Sequence, residues 1–215
     1  MNDTHDVVYR PDRPYLLFPQ LKADHPDWLV GDPVKRTPHG RWSSVDYARS
    51  EIRELAFRYV EEVCRNYDVD GVELDFFRHL CYFKSVAHGG IAKREEVAAM
   101  TGLMRRIRAM TEEAGVKRGR PILVAMRLPD STGYCLEMGL DLESWLKEGL
   151  MDLLITTDYF RLNPWSESVA LGHRLVDMYH LFFRFPQLEF QLAKGVLVAA
   201  AVVSGLAAVT GVWGA

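Results

Sequence analysis

At 215 residues, with 48% apolar and 26% charged residues, the chain has the composition of a folded protein with a sizeable core, which excludes an intrinsically disordered one. A net charge of −3 argues against a nucleic-acid partner bound by neutralising phosphates. Three cysteines, Cys64, Cys81 and Cys135, lack C-x-x-C spacing, so they read as buried thiols and not as a disulfide framework or zinc cluster.

The polar opening MNDTHDVVYR carries no apolar h-region, so no signal peptide is expected. Its cluster Asn2, Asp3, Thr4, His5 and Asp6 is either a set of binding groups or a frayed terminus. Prolines at 11, 14, 19, 26, 33 and 38 exclude long regular elements up to about residue 45. The stretch reads as a long loop carrying Tyr15, Phe18, Trp28 and Trp42, of the kind that often walls a binding site.

From about Asp46 to Asn66, the apolar residues Ile52, Leu55, Ala56, Tyr59, Val60 and Val63 recur at steps of three and four. Glu51, Arg53, Glu54, Glu61 and Glu62 lie opposite, which predicts an amphipathic helix. The run YDVDGVELDFF, Tyr67 to Phe77, then predicts a strand with Val72, Leu74 and Phe76 on one face and Glu73 and Asp75 on the other. Parallel sheets bury such strands on both faces, and burying two acids is costly unless they hydrogen-bond, pair with an arginine or work on a ligand. His79 and His88 in the next loop have no third ligand at a metal spacing. Zinc-protease, P-loop and dinucleotide motifs are absent from the sequence, so no metal and no cofactor is expected.

A second helix is predicted from about Lys93 to Ala114, with Val97, Met100, Leu103, Met104, Ile107 and Met110 as its buried stripe and Gly115 as its C′ residue. Arg105, Arg106 and Arg108 are assigned to its solvated side. Ile122 to Leu128 reads as the next strand, broken at Pro129-Asp130-Ser131. A helix from about Leu142 to Leu150 leads to a third strand, Asp152 to Thr157, ending in Asp158-Tyr159-Phe160. A last helix runs from about Glu167 to Tyr179.

Alternation of this kind implies a parallel sheet, and such sheets collect ligand groups at the carboxyl ends of their strands. Those ends carry Glu73 and Asp75, then Arg127 and Asp130, then Asp158 and Tyr159. Residues 195–215 contain no charge and are long enough for one bilayer crossing of roughly 20 residues. A membrane span, a buried helix or strand pair, and an aberrant gene end all fit that tail.

The order His25-Pro26-Asp27-Trp28, then Trp42-x-x-x-Asp46-Tyr47, then a helix and the YDVDGVELDFF strand, resembles the glycosyl-hydrolase-like family 10 proteins and their barrel relatives. The resemblance extends over about residues 1–165 and includes the RPILVAMR strand and the ESWLKEGLMDLL run. It implies an α/β fold of parallel (β/α) TIM-barrel type, with Met1 to Asp6 at the end of strand three and the three predicted strands as four, five and six. Strands one and two and most of three are missing, and the tail does not read as strands seven and eight, so the barrel, expected over 1–190, is partial.

By the same resemblance the substrate is a carbohydrate and the chemistry uses two carboxylates. Asp75 takes the place of nucleophile or base, with Glu73 as partner or alternative and Asp158 or Asp130 as acid. Arg127 holds a carboxylate or binds sugar hydroxyls, as Asp130 and Tyr159 would from neighbouring strand ends, with Asn2, Asp3 and His5 at the end of strand three. Trp28 and Trp42 either stack on sugar rings or pack in the core. A glycoside hydrolase is the leading expectation, and its rival is an inactive partial barrel with a carbohydrate-binding or structural role. Oligomeric state leaves no signature in the sequence.

Overall fold

The apolar stripes of the helices and one face of the strands meet in one main core, with smaller clusters beside it. In the computed structural model, residues 18–35, 37–77, 79–157, 163–175 and 197–200 are described. Among them the strands β1 (Gly71–Asp75), β2 (Leu123–Pro129), β3 (Leu153–Thr157) and β4 (Leu197–Ala200) form one parallel sheet in that order. No closed barrel is formed among the described residues. The expected alternation is present, with α2 (Ser50–Asn66) before β1 and α4 (Arg94–Arg118) between β1 and β2. Next come α6 (Leu142–Lys147) before β3 and α7 (Trp165–Leu175) after it.

Short helices fill the connections: α1 (Gln20–Asp24), α3 (Lys84–Ala87) and α5 (Thr132–Glu137). None of the three was expected. α5 starts where the strand-breaking Ser131 turns its hydroxyl to accept the Tyr134 N–H at 3.3 Å, an N-cap.

The core lies on one side of the sheet. Val124, Met126, Leu128 and Leu154 are fully buried there against Met100, Met104 and Ile107 of α4 and Trp145 of α6. Trp145 also donates its indole N–H to Thr101 Oγ1 at 2.9 Å, so its one polar atom is satisfied. Within β1, Leu74 packs on this core, while Val72 joins a smaller cluster with Cys64, Met110, Ala114 and Ile122. Gly71, at the start of β1, faces the Leu123 carbonyl so closely that a Cβ would stand 2.6 Å from its oxygen.

Three local expectations are corrected. α4 runs on to Arg118, and its left-handed cap is Gly119, at φ 73°. Gly115 is inside the helix, where a Cβ would press within 3.1–3.3 Å of the backbone of Arg120, Pro121 and Ile122. Arg108 is buried, not solvated, because it stands one turn beyond Met104 on the core stripe. There it pairs with Asp152 at 2.6 and 3.0 Å and with Glu112 at 3.0 Å, and Asp152 Oδ2 also accepts the Val124 N–H at 2.8 Å.

The proline-rich stretch is less loop-like than its composition suggests. Leu29 and Val45 form an antiparallel bridge, and Leu29, Trp42, Val45 and Ile52 make a satellite core joined by Phe18. Asp46, whose carboxylate is buried, accepts the Ala48 N–H at 3.1 Å and the backbone N–H of Lys84, which ties this layer to the start of α3. Burial raises its pKa, with the charge of Glu96 adding to the rise and Lys84 opposing it. All three cysteines are buried thiols, and burial pushes Cys81 up to about 11 and Cys135 to about 12.

Leu197–Ala200 of the apolar tail is a strand beside β3, and the rest of 195–215 lies outside the described residues. Among the described residues no helix is long and apolar enough to cross a membrane.

Candidate functional site

Parallel register places residues of neighbouring strands on a common face. Glu73 sits level with Ala125 and Asp75 with Arg127, and Arg127 in turn with Ile155. These side chains point away from the helix-covered core. The expectation that β1 is buried on both faces fails on this side: Glu73 and Asp75 are each 40% exposed and Arg127 is 30% exposed.

Arg127 lies between the two acids. One terminal nitrogen meets Glu73 Oε1 at 2.6 Å and the other approaches Asp75 Oδ2 at 3.4 Å. The second oxygen of Asp75 accepts the Phe77 N–H at 2.9 Å, so the chain just past the strand holds the carboxylate by one end. The Phe76 N–H continues the ladder to the Arg127 carbonyl at 3.0 Å. A guanidinium that serves two carboxylates offsets part of their mutual repulsion and keeps donors beside an exposed surface.

The other expected site residues are distributed differently. Asp130, one residue beyond β2, accepts the Asn163 backbone N–H on its carboxylate and the Asn163 side-chain amide on its carbonyl at 3.2 Å. Trp42 is 9% exposed inside the satellite core, so packing accounts for it and its ring presents no broad face to a sugar. Trp28 is half-buried, stacked on His25 at 3.9 Å with Arg49 over its ring at 6.0 Å. Asn2, Asp3, His5, Asp158 and Tyr159 lie outside the described residues. Among the described residues, no group of three or more His, Cys, Asp or Glu is placed to hold a metal ion.

Sequence reasoning missed Tyr82. Its ring is buried edge-on against Tyr47 and Phe76, both at 5.7 Å, and its hydroxyl donates to the Phe76 carbonyl at 2.5 Å. A tyrosine seven residues past the end of β1 carries no periodic signal, although the short aromatic run of Tyr82 and Phe83 after Cys81 marks a buried segment.

Fold and site together define an α/β protein with a carboxylate–arginine cluster at the carboxyl end of a parallel sheet. No family model and no curated protein matches the chain, so the resemblance to glycosyl-hydrolase-like family 10 rests on its motifs. Among solved structures the chain is similar to a glycoside hydrolase family 18 N-acetylglucosaminidase from Paenibacillus barengoltzii. The identity is 20% and the TM-score 0.46, and the match covers 79% of this chain and 56% of that one. The chain thus spans about half the length of the enzyme it matches.

Proposed function

We propose that the chain is a glycoside-hydrolase-like protein that acts on a carbohydrate through the Glu73 and Asp75 face of β1. The observation that supports this most is the placement of two carboxylates and a guanidinium on the exposed sheet face, at the end of the strands where parallel α/β folds gather ligand groups.

In this reading Asp75 is the nucleophile or base. Its Oδ1 is committed to the Phe77 N–H, while Oδ2 has only the longer approach of Arg127 and is the oxygen available to an anomeric carbon or a water. Glu73, closer to Arg127, is the anchored partner that keeps the guanidinium in place. Asp158 follows β3 in sequence as Asp130 follows β2, and it is the candidate acid for the glycosidic oxygen. Hydrolysis of a panel of aryl glycosides and polysaccharides tests the assignment. Asp75→Asn should lose on the order of 10³-fold or more in kcat with its circular dichroism unchanged, and Glu73→Gln should lose less.

A second reading, an inactive carbohydrate-binding domain, is favoured by the hold that Arg127 has on both acids. A folded chain that binds polysaccharide and hydrolyses nothing would select it.

A further inference from the structure

We propose that Tyr82 is a positioning residue for Asp75 and acts through the one peptide unit that joins Phe76 to Phe77; the inference rests on the reading of Asp75 as the working carboxylate.

The C=O of Phe76 and the N–H of Phe77 belong to the same planar group. Tyr82 donates its hydroxyl to that oxygen, and that N–H donates to Asp75 Oδ1 at 2.9 Å. The two hydrogen bonds are therefore in series. Fixing the oxygen fixes the tilt of the plane and with it the direction of the N–H, and a donor at the oxygen polarises the amide, strengthening its own donation. The carboxylate is turned so that Oδ2 faces Arg127 and the open surface.

The surroundings of the hydroxyl suit this task. Tyr82 is 6% exposed, and its ring is gripped between Tyr47 and Phe76. Burial raises its pKa well above the usual tyrosine value, and Tyr47 and Asp75 add to the rise. At neutral pH the group is thus a fixed donor. Removing the hydroxyl leaves the ring packing in place but frees the 76–77 plane to rock, and Asp75 loses a defined aim.

The test uses the full chain labelled with 15N and reads the Phe77 amide in Tyr82→Phe, with Tyr47→Phe as a control that alters the same ring cluster without touching the relay. Tyr82→Phe should move the Phe77 amide proton upfield and cost about tenfold in its exchange protection, and the control should do neither. On a hydrolysed substrate, kcat should fall about tenfold with KM unchanged. An unmoved Phe77 amide overturns the proposal whatever the activity, as does a moved amide with kcat unchanged.

If the wild-type chain hydrolyses nothing, the catalytic reading fails by itself. The relay is then decided by whether the effect of Tyr82→Phe on Phe77 shrinks in an Asp75→Asn background, as it must if the two hydrogen bonds are coupled. Should Tyr82→Phe not fold, 3-fluorotyrosine placed at position 82 by suppression carries a more acidic hydroxyl. It should move the Phe77 amide downfield, and an upfield or absent shift overturns the relay.

Discussion

Two arginines, Arg108 on α4 and Arg127 on β2, hold two carboxylates each, and they sit in different surroundings. Arg108, its side chain 8% exposed, meets Asp152 beside the amino end of β3 and the more exposed Glu112 one turn along its own helix. Arg127 meets Glu73 and Asp75 near the carboxyl end of β1, 30% exposed and facing away from the core. The first cluster is sealed by hydrogen bonds to backbone, since Asp152 also receives the Val124 N–H. The second leaves its carboxylates open to the surface, Glu73 and Asp75 each 40% exposed. Equal charge chemistry becomes structural when water is excluded and stays available to a ligand when it is not.

The comparison breaks most readily at the buried end. Arg108→Ala should cost about 2–3 kcal/mol by leaving the half-buried Asp152 carboxylate without its cation, read as a lower midpoint in urea unfolding. A loss below about 1 kcal/mol would show that the pair is no more than a surface bridge. Replacing both partners, Arg108→Met with Asp152→Leu, should recover most of that loss, because the desolvation cost disappears with the charges. Failure to recover would assign the cost to the Val124 N–H, which loses its acceptor.

At the open end, Arg127→Ala should change stability by no more than about 1 kcal/mol while reducing hydrolysis or carbohydrate binding. A large fall in stability with function intact would make the two arginines alike. The smallest effect expected is a change of slope at Asp46. Its pKa in the folded chain is raised above the ordinary 3.8, so its contribution to stability is full below that value and is lost as pH rises through the folded one. Asp46→Asn removes that loss, and its stability relative to wild type should climb from pH 3 toward pH 7 in paired urea titrations. A difference that stays flat would mean that the buried carboxylate gains as much from Lys84 as it loses by burial.

Much of this frame was legible in the residues. The three-and-four spacing in α2 and α4 and the alternation in β1 are local, and local patterns survive translation into structure. The face shared by Glu73 and Asp75 followed from the two-residue period of a strand. Its exposure did not, because that depends on which elements cover the sheet. Arg108 reads as solvated in sequence because nothing beside Ile107 reveals its partner 44 residues later, Asp152. In sequence Gly115 reads as the cap because the spacing of apolar residues fades there. The tight approach of Pro121 explains why a glycine stands in mid-helix. The hydroxyl of Tyr82 was invisible for a similar reason, since nothing in sequence ties it to a carbonyl six residues earlier.

The glycine that opens β1 has a consequence at the strand's other end. With a Cβ barred from the space in front of the Leu123 carbonyl, a one-residue slip of β1 against β2 would drive the Val72 side chain into that oxygen. The same slip would turn both acids into the oily side of the sheet. A residue with no side chain thus works as a keyed notch, admitting the strand in the single frame that sets Asp75 beside Arg127.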